Sequence, residues 1–177
     1  LSEKERGKRE QRMLQGLLEG RFHLKVHRET RVLPFYAVVA VKGGPKLEKS
    51  KIAEAECAAR TGAVGVACHT IMGGRGRGLH GEAVTVGDIV DYVENWTDRP
   101  LVDRTGIGGL FNVQTTGWID LQPGPAPALG VKAEDGSDMA DIPSLFTVFE
   151  RLGLKMDARK GPVEVFVIDH VEQPSAN

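Results

Sequence analysis

Ser144 to Glu172 reads SLFTVFERLGLKMDARKGPVEVFVIDHVE. Leu145, Phe146, Val148, Phe149 and Leu152 recur at helical spacing and give one apolar face. Gly153 suits the residue just past a helix end. Asp141 is the expected cap, with Pro143 in the first turn. Lys155 to Arg159 then reads as a strand, Lys160-Gly161 as a tight turn, and Val163 to Val171 as the most β-prone run in the chain.

The same order of helix, short strand, polar turn and long strand occurs twice earlier. Glu3 to Glu19 is a charged helix with Met13, Leu14, Leu17 and Leu18 as its apolar stripe and Gly20 at its end. Phe22, Leu24 and Val26 alternate with His23, Lys25 and His27, Glu29-Thr30-Arg31 turns, and Leu33 to Val41 is a strong strand. In the second copy Thr85 caps a helix over 86–96, with Asp88 completing a capping box. Leu101-Val102-Asp103 starts a strand, residues 105–109 turn, and Leu110 to Thr116 returns.

A lone hairpin is marginal in water, whereas several laid together under helices form a core. The expectation is therefore an α+β protein with a mainly antiparallel sheet built from three helix–strand–strand units, its helices packed on one face. One domain covers 1–177, with units near 8–42, 85–118 and 142–172. Loops fill 43–78, with a short helix within 46–59, and 117–141. Gly73 to Gly78 reads as a flexible loop and Leu79 to Thr85 as a short strand.

The 177 residues are 41% hydrophobic, normal for a folded domain. With 23 Lys and Arg against 24 Asp and Glu, the net charge of −1 offers no basic field for nucleic acid. No apolar run reaches the roughly 18 residues of a membrane span. The charged opening Leu1-Ser2-Glu3-Lys4 does not read as a signal peptide, and Leu1 in place of Met leads to the expectation of a processed or truncated chain, a removed signal peptide among the options. Two cysteines, Cys57 and Cys68, are too few for a zinc ribbon. They read either as unrelated thiols or as a local disulfide formed in an oxidising compartment.

The segments 97–111, 152–177 and 13–47 resemble a large family of uncharacterised exported proteins from soil acidobacteria. The motifs that carry the resemblance are VDRTG (102–106) and the C-terminal VIDHVE-x-Pro (167–174). Members are similar in carrying a signal peptide and a further N-terminal β-rich segment, and some are fused to β-lactam-sensor-type membrane metallopeptidases. The resemblance implies an extracytoplasmic setting, which agrees with a disulfide, and a chain covering only the C-terminal part of such proteins. It implies no established activity.

Candidate chemistry is thin. His23 and His27, four residues apart on a strand, would stand roughly 13 Å apart, too far to share a metal ion. No metal or cofactor is expected. Asp103, in Asp-Arg-Thr-Gly, suits either a turn cap or a general acid at a sheet end. Asp169 and His170 are adjacent on a strand, face opposite ways and cannot form one dyad. Arg75 and Arg77 in the glycine-rich loop could cradle an anion, though the order of a phosphate loop is missing. Trp118 could offer a flat platform to a sugar or peptide.

Two readings stay open. The leading one is an extracytoplasmic binding or interaction module of unknown ligand, with Trp118, Arg75, Arg77, His80 and Arg104 as ligand-binding candidates. The alternative is a small glycosidase-like hydrolase using a carboxylate pair drawn from Asp103, Asp169, Asp120 and Glu82, with Glu94 and Glu134 also near in sequence. Partners would be a glycan or a peptide. The N-terminal segment of a longer protein, or a second copy joined through a sheet edge, would also fit.

Overall fold

The computed structural model describes residues 3–59, 68–118 and 142–174. In chain order its elements are α1 (Glu3–Phe22), β1 (Lys25–Ala40), β2 (Glu48–Lys49), α2 (Glu54–Ala59), β3 (Met72–Gly74), β4 (Gly78–Val84), α3 (Val86–Val93), β5 (Leu101–Asp103), β6 (Phe111–Gln114), α4 (Leu145–Arg151) and β7 (Leu154–His170). The protein is α+β and dominated by two mostly antiparallel sheets, ordered β5-β1-β7 and β2-β6-β4-β3. The exception is β5, which runs parallel to β1 and pairs Tyr36 with Leu101 and Val38 with Asp103.

The two-sheet arrangement corrects the expectation of one sheet made of hairpins. The third unit has no turn at Lys160-Gly161, and β7 runs straight through it. Gly161 does not take a positive φ there, and Pro162 is tolerated because β7 is an edge strand that need not donate on its open side. The first unit has no turn at Glu29-Thr30-Arg31 either, since β1 is continuous. That triplet holds no Gly, Pro or Asn, so its polarity marks a wet strand face and not a reversal. In the second unit β5 and β6 belong to different sheets, so residues 101–116 form a crossover between sheets and not a hairpin.

The chain divides into two compact units, Pro34–Arg159 and a smaller one of Leu1–Leu33 with Lys160–Asn177. The core of the larger unit is formed by Val86, Ile89, Val90 and Val93 of α3 and Leu145, Val148 and Phe149 of α4. They pack against Leu79, Phe111, Val113, Leu154 and Met156 from the strands. Each such side chain contributes about 1.5–3 kcal/mol on burial. The capping box expected at α3 is present: the Thr85 hydroxyl accepts from the Asp88 N–H at 3.0 Å, and Asp88 Oδ2 accepts from the Thr85 N–H at 2.7 Å. The cap of α4 is Ser144, whose Oγ accepts from Thr147 N–H; Asp141, the expected cap, lies outside the described residues.

Residues 73–78 are not a flexible loop but the two ends and the turn of the β3–β4 hairpin. A Cβ on Gly78 would lie 1.9 Å from the Thr115 carbonyl oxygen, and Gly78 has φ +78°. Only glycine allows that approach of backbone to backbone. In the smaller unit α1 passes through Gly20 and ends at Phe22, where Leu24 N–H closes on the Leu18 carbonyl. The apolar stripe of α1 stays open, with Met13, Leu14 and Leu17 each more than half exposed. Among the described residues, no helix is long and apolar enough to cross a membrane.

Candidate functional site

A groove of about 710 Å³ lies on the wet face of the four-stranded sheet in the larger unit. The faces follow from alternation: Leu79, Phe111 and Val113 point into the core, while His80, Glu82 and Gln114 are exposed. Register arranges the groove in two rows. Met72, His80 and Gln114 are directly matched across β3, β4 and β6. In the next row Glu48 of β2 faces Asn112 of β6. On the other side of Asn112, the register shift between Gly81 and Val84 sets Glu82 and Ala83 together against one residue. This is a β-bulge.

The bulge is tied down on two sides. The Ala83 N–H donates to Asn112 Oδ1 at 3.4 Å, and the Ala83 carbonyl accepts from His69 N–H at 3.1 Å. Ala83 holds φ +50°, a left-handed conformation that is costly for alanine. Glu48 and Glu82 take part in none of the ion pairs found among the described residues. They are separated by one intervening strand, which places their backbones about 9–10 Å apart at 4.7–4.9 Å per strand. His80 Nε2 lies 2.9 Å from the Arg77 carbonyl. A carbonyl can only accept, so Nε2 carries the proton and Nδ1 is the acceptor of the neutral ring.

Beside the bulge lies a second cluster. Cys57 and Cys68 form a disulfide and pack with Ala83, Leu110 and Ile52 in a small separate core. His69 follows at φ +58°. Its Nδ1 is 2.7 Å from Asp88 and its Nε2 3.1 Å from Glu54. Partial burial pulls the His69 imidazole down, but the hydrogen bonds and charges of Asp88 and Glu54 outweigh it and hold the pKa above the ordinary value. Sequence reading passed over His69, Glu48, Asn112 and Gln114. Register would have been needed to find the last three.

The other candidates are scattered. Asp103 accepts from the Thr105 N–H and hydroxyl, both at 2.8 Å, which is a turn cap, and Gly106 takes the positive φ that turn needs. The nearby Asp91 carboxyl is pushed up by partial desolvation and by the charges of Asp88 and Asp103. Arg104 donates its backbone N–H to Val38. Arg75 and Arg77 lie on the β3–β4 turn. Trp118 is 0% exposed and meets Trp96 edge-on at 5.6 Å, so it is core and presents no open face. Asp120 and Glu134 lie outside the described residues. In the smaller unit Asp169 pairs with His27 at 2.9 Å, while His170 Nε2 pairs with Glu172, which also takes His23. The His27 imidazole is held above its usual pKa, first by the Asp169 hydrogen bond and charge.

Among the described residues, no group of three or more His, Cys, Asp or Glu could hold a metal ion. No curated protein and no solved structure matches the chain. A family model described as protein of unknown function (DUF3738) matches residues 2–171, and the chain belongs to that family.

Proposed function

We propose that the chain is an extracytoplasmic binding module whose ligand lies in the groove on the β2-β6-β4-β3 face. The observation that carries this reading is the alignment of side chains, most of them polar, in two register-matched rows on a rigid sheet, with Glu48 and Glu82 in no ion pair among the described residues. A rigid sheet holds such groups at fixed spacing, so little ordering is needed on binding. The Cys57–Cys68 disulfide supports an oxidising compartment. The experiment is a screen of the labelled chain on peptide and glycan arrays, with Gln114→Tyr as control. Gln114 is exposed and on a strand, so tyrosine fills the groove without entering the core. Binding lost in that variant supports the reading. A ligand held equally well by both chains, or silence on both arrays, sinks it.

A second reading is favoured by Glu48 and Glu82. Carboxylates on strands two apart match the wider spacing of inverting glycosidases better than the roughly 5 Å of retaining ones. Hydrolysis of chromogenic glycosides with inversion, abolished in Glu82→Gln, would establish it. Wild-type inactivity across the panel removes it.

A further inference from the structure

The groove's hydrogen-bonding inventory narrows its occupant. Glu48 and Glu82 are acceptors only, and so is His80 Nδ1 in the neutral ring. Asn112 Oδ1 is engaged by the Ala83 N–H, which leaves the NH2 as the free end of the amide, on the strand between those that carry the two glutamates. The lining therefore asks for donors at its flanks and an acceptor at its centre. Among the described residues its fixed charges are Glu48 and Glu82 against Lys46, an excess of acid. Lys46 stands at the Leu152 end, where its N–H donates to the Leu152 carbonyl at 2.8 Å.

Two further features discriminate between ligands. Among the described residues, no Phe, Tyr or Trp lines the groove, so the broad stacking platform that a sugar ring favours is missing there. Met72, in the same row as His80, is 68% exposed. Among the described residues, the other exposed large hydrophobic side chains lie in the smaller unit. An unbranched, polarizable thioether suits methylene stems that differ in shape from one ligand to the next.

Resting on the groove reading above, we infer that the groove takes an extended peptide segment bearing lysine or arginine. The side-chain stems lie on Met72 and Leu47, the cations meet Glu48 and Glu82, and a backbone carbonyl accepts from the Asn112 amide. Charge complementarity sets the class, and the central amide distinguishes a peptide from a simple polyamine.

The test is binding of the full chain to labelled pentalysine, with pentaglutamate, spermine and tetra-N-acetylglucosamine as comparisons, at about 20 and 200 mM salt. Pentalysine should bind, more weakly at high salt, and better than spermine, which carries the charge without carbonyls. Glu48→Gln and Glu82→Gln should each weaken it about two- to fivefold, as expected for exposed pairs. The double variant should lose roughly tenfold, with its melting curve confirming the fold. Pentalysine binding no tighter than pentaglutamate or spermine, or indifferent to the double variant, overturns the inference. If the tetrasaccharide alone binds and Gln114→Tyr abolishes it, the peptide falls and the groove stands. If no probe binds, both fall.

Discussion

His69 donates its backbone N–H to the Ala83 carbonyl at 3.1 Å, and both residues hold left-handed backbone, φ +58° and +50°. The bond joins the residue after the disulfide to the bulge that sets Glu82 at the groove. Histidine and asparagine tolerate this conformation better than most residues. His69→Asn therefore keeps the backbone and removes the imidazole that Asp88 and Glu54 share. The pKa of His69 is raised on folding, so its stabilisation is fully present below the unfolded value near 6.5 and is lost as pH rises through the folded value. Wild type should melt above His69→Asn at pH 5.5, by under about 1 kcal/mol after solvent screening. The gap should close by pH 8.5. A gap constant across that range would show that the carboxylates do not hold a protonated ring.

Gly78→Ala tests the hairpin. The added Cβ meets the Thr115 oxygen at a strained φ, and steric overlap plus left-handed strain should cost roughly 2–4 kcal/mol by chemical denaturation. Gly76→Ala, at φ +77° with open space around it, should cost only about 1–2 kcal/mol. Equal losses would mean that residues 73–78 are not packed against residue 115.

The disulfide closes a short loop, with a sequence separation of 11. Replacing Cys57 and Cys68 by serine should lower stability by roughly 2–3 kcal/mol. Equilibrium urea unfolding reads this directly, and an unchanged midpoint would contradict it.

Thr85→Ala removes one arm of the α3 capping box. The expected loss is about 1 kcal/mol, with Thr85→Ser restoring most of it.

These tests fall where sequence and structure agree and where they part. The box at Thr85 and Asp88, the apolar face of α3 and the turn at Gly106 follow local rules, and all were legible. The continuity of β1 and β7 was not, because Glu29-Thr30-Arg31 and Lys160-Gly161 are polar for reasons of exposure and not of reversal. The groove was invisible for a related reason. Glu48, Glu82 and Asn112 are far apart in sequence and meet only through strand register, which no local pattern encodes. Trp118 misled in the opposite direction: a tryptophan beside a Pro-rich stretch suggested a platform, yet its bulk fills the core.

Amide hydrogen exchange of the chain with and without saturating pentalysine tests the assignment of the groove most directly. Slowed exchange at residues 80–82 and 112–114, with residues 163–168 unchanged, is the predicted result. Protection confined to the ribbon around Phe166 and Ile168, which are 61% and 62% exposed, with β4 and β6 untouched, would contradict it.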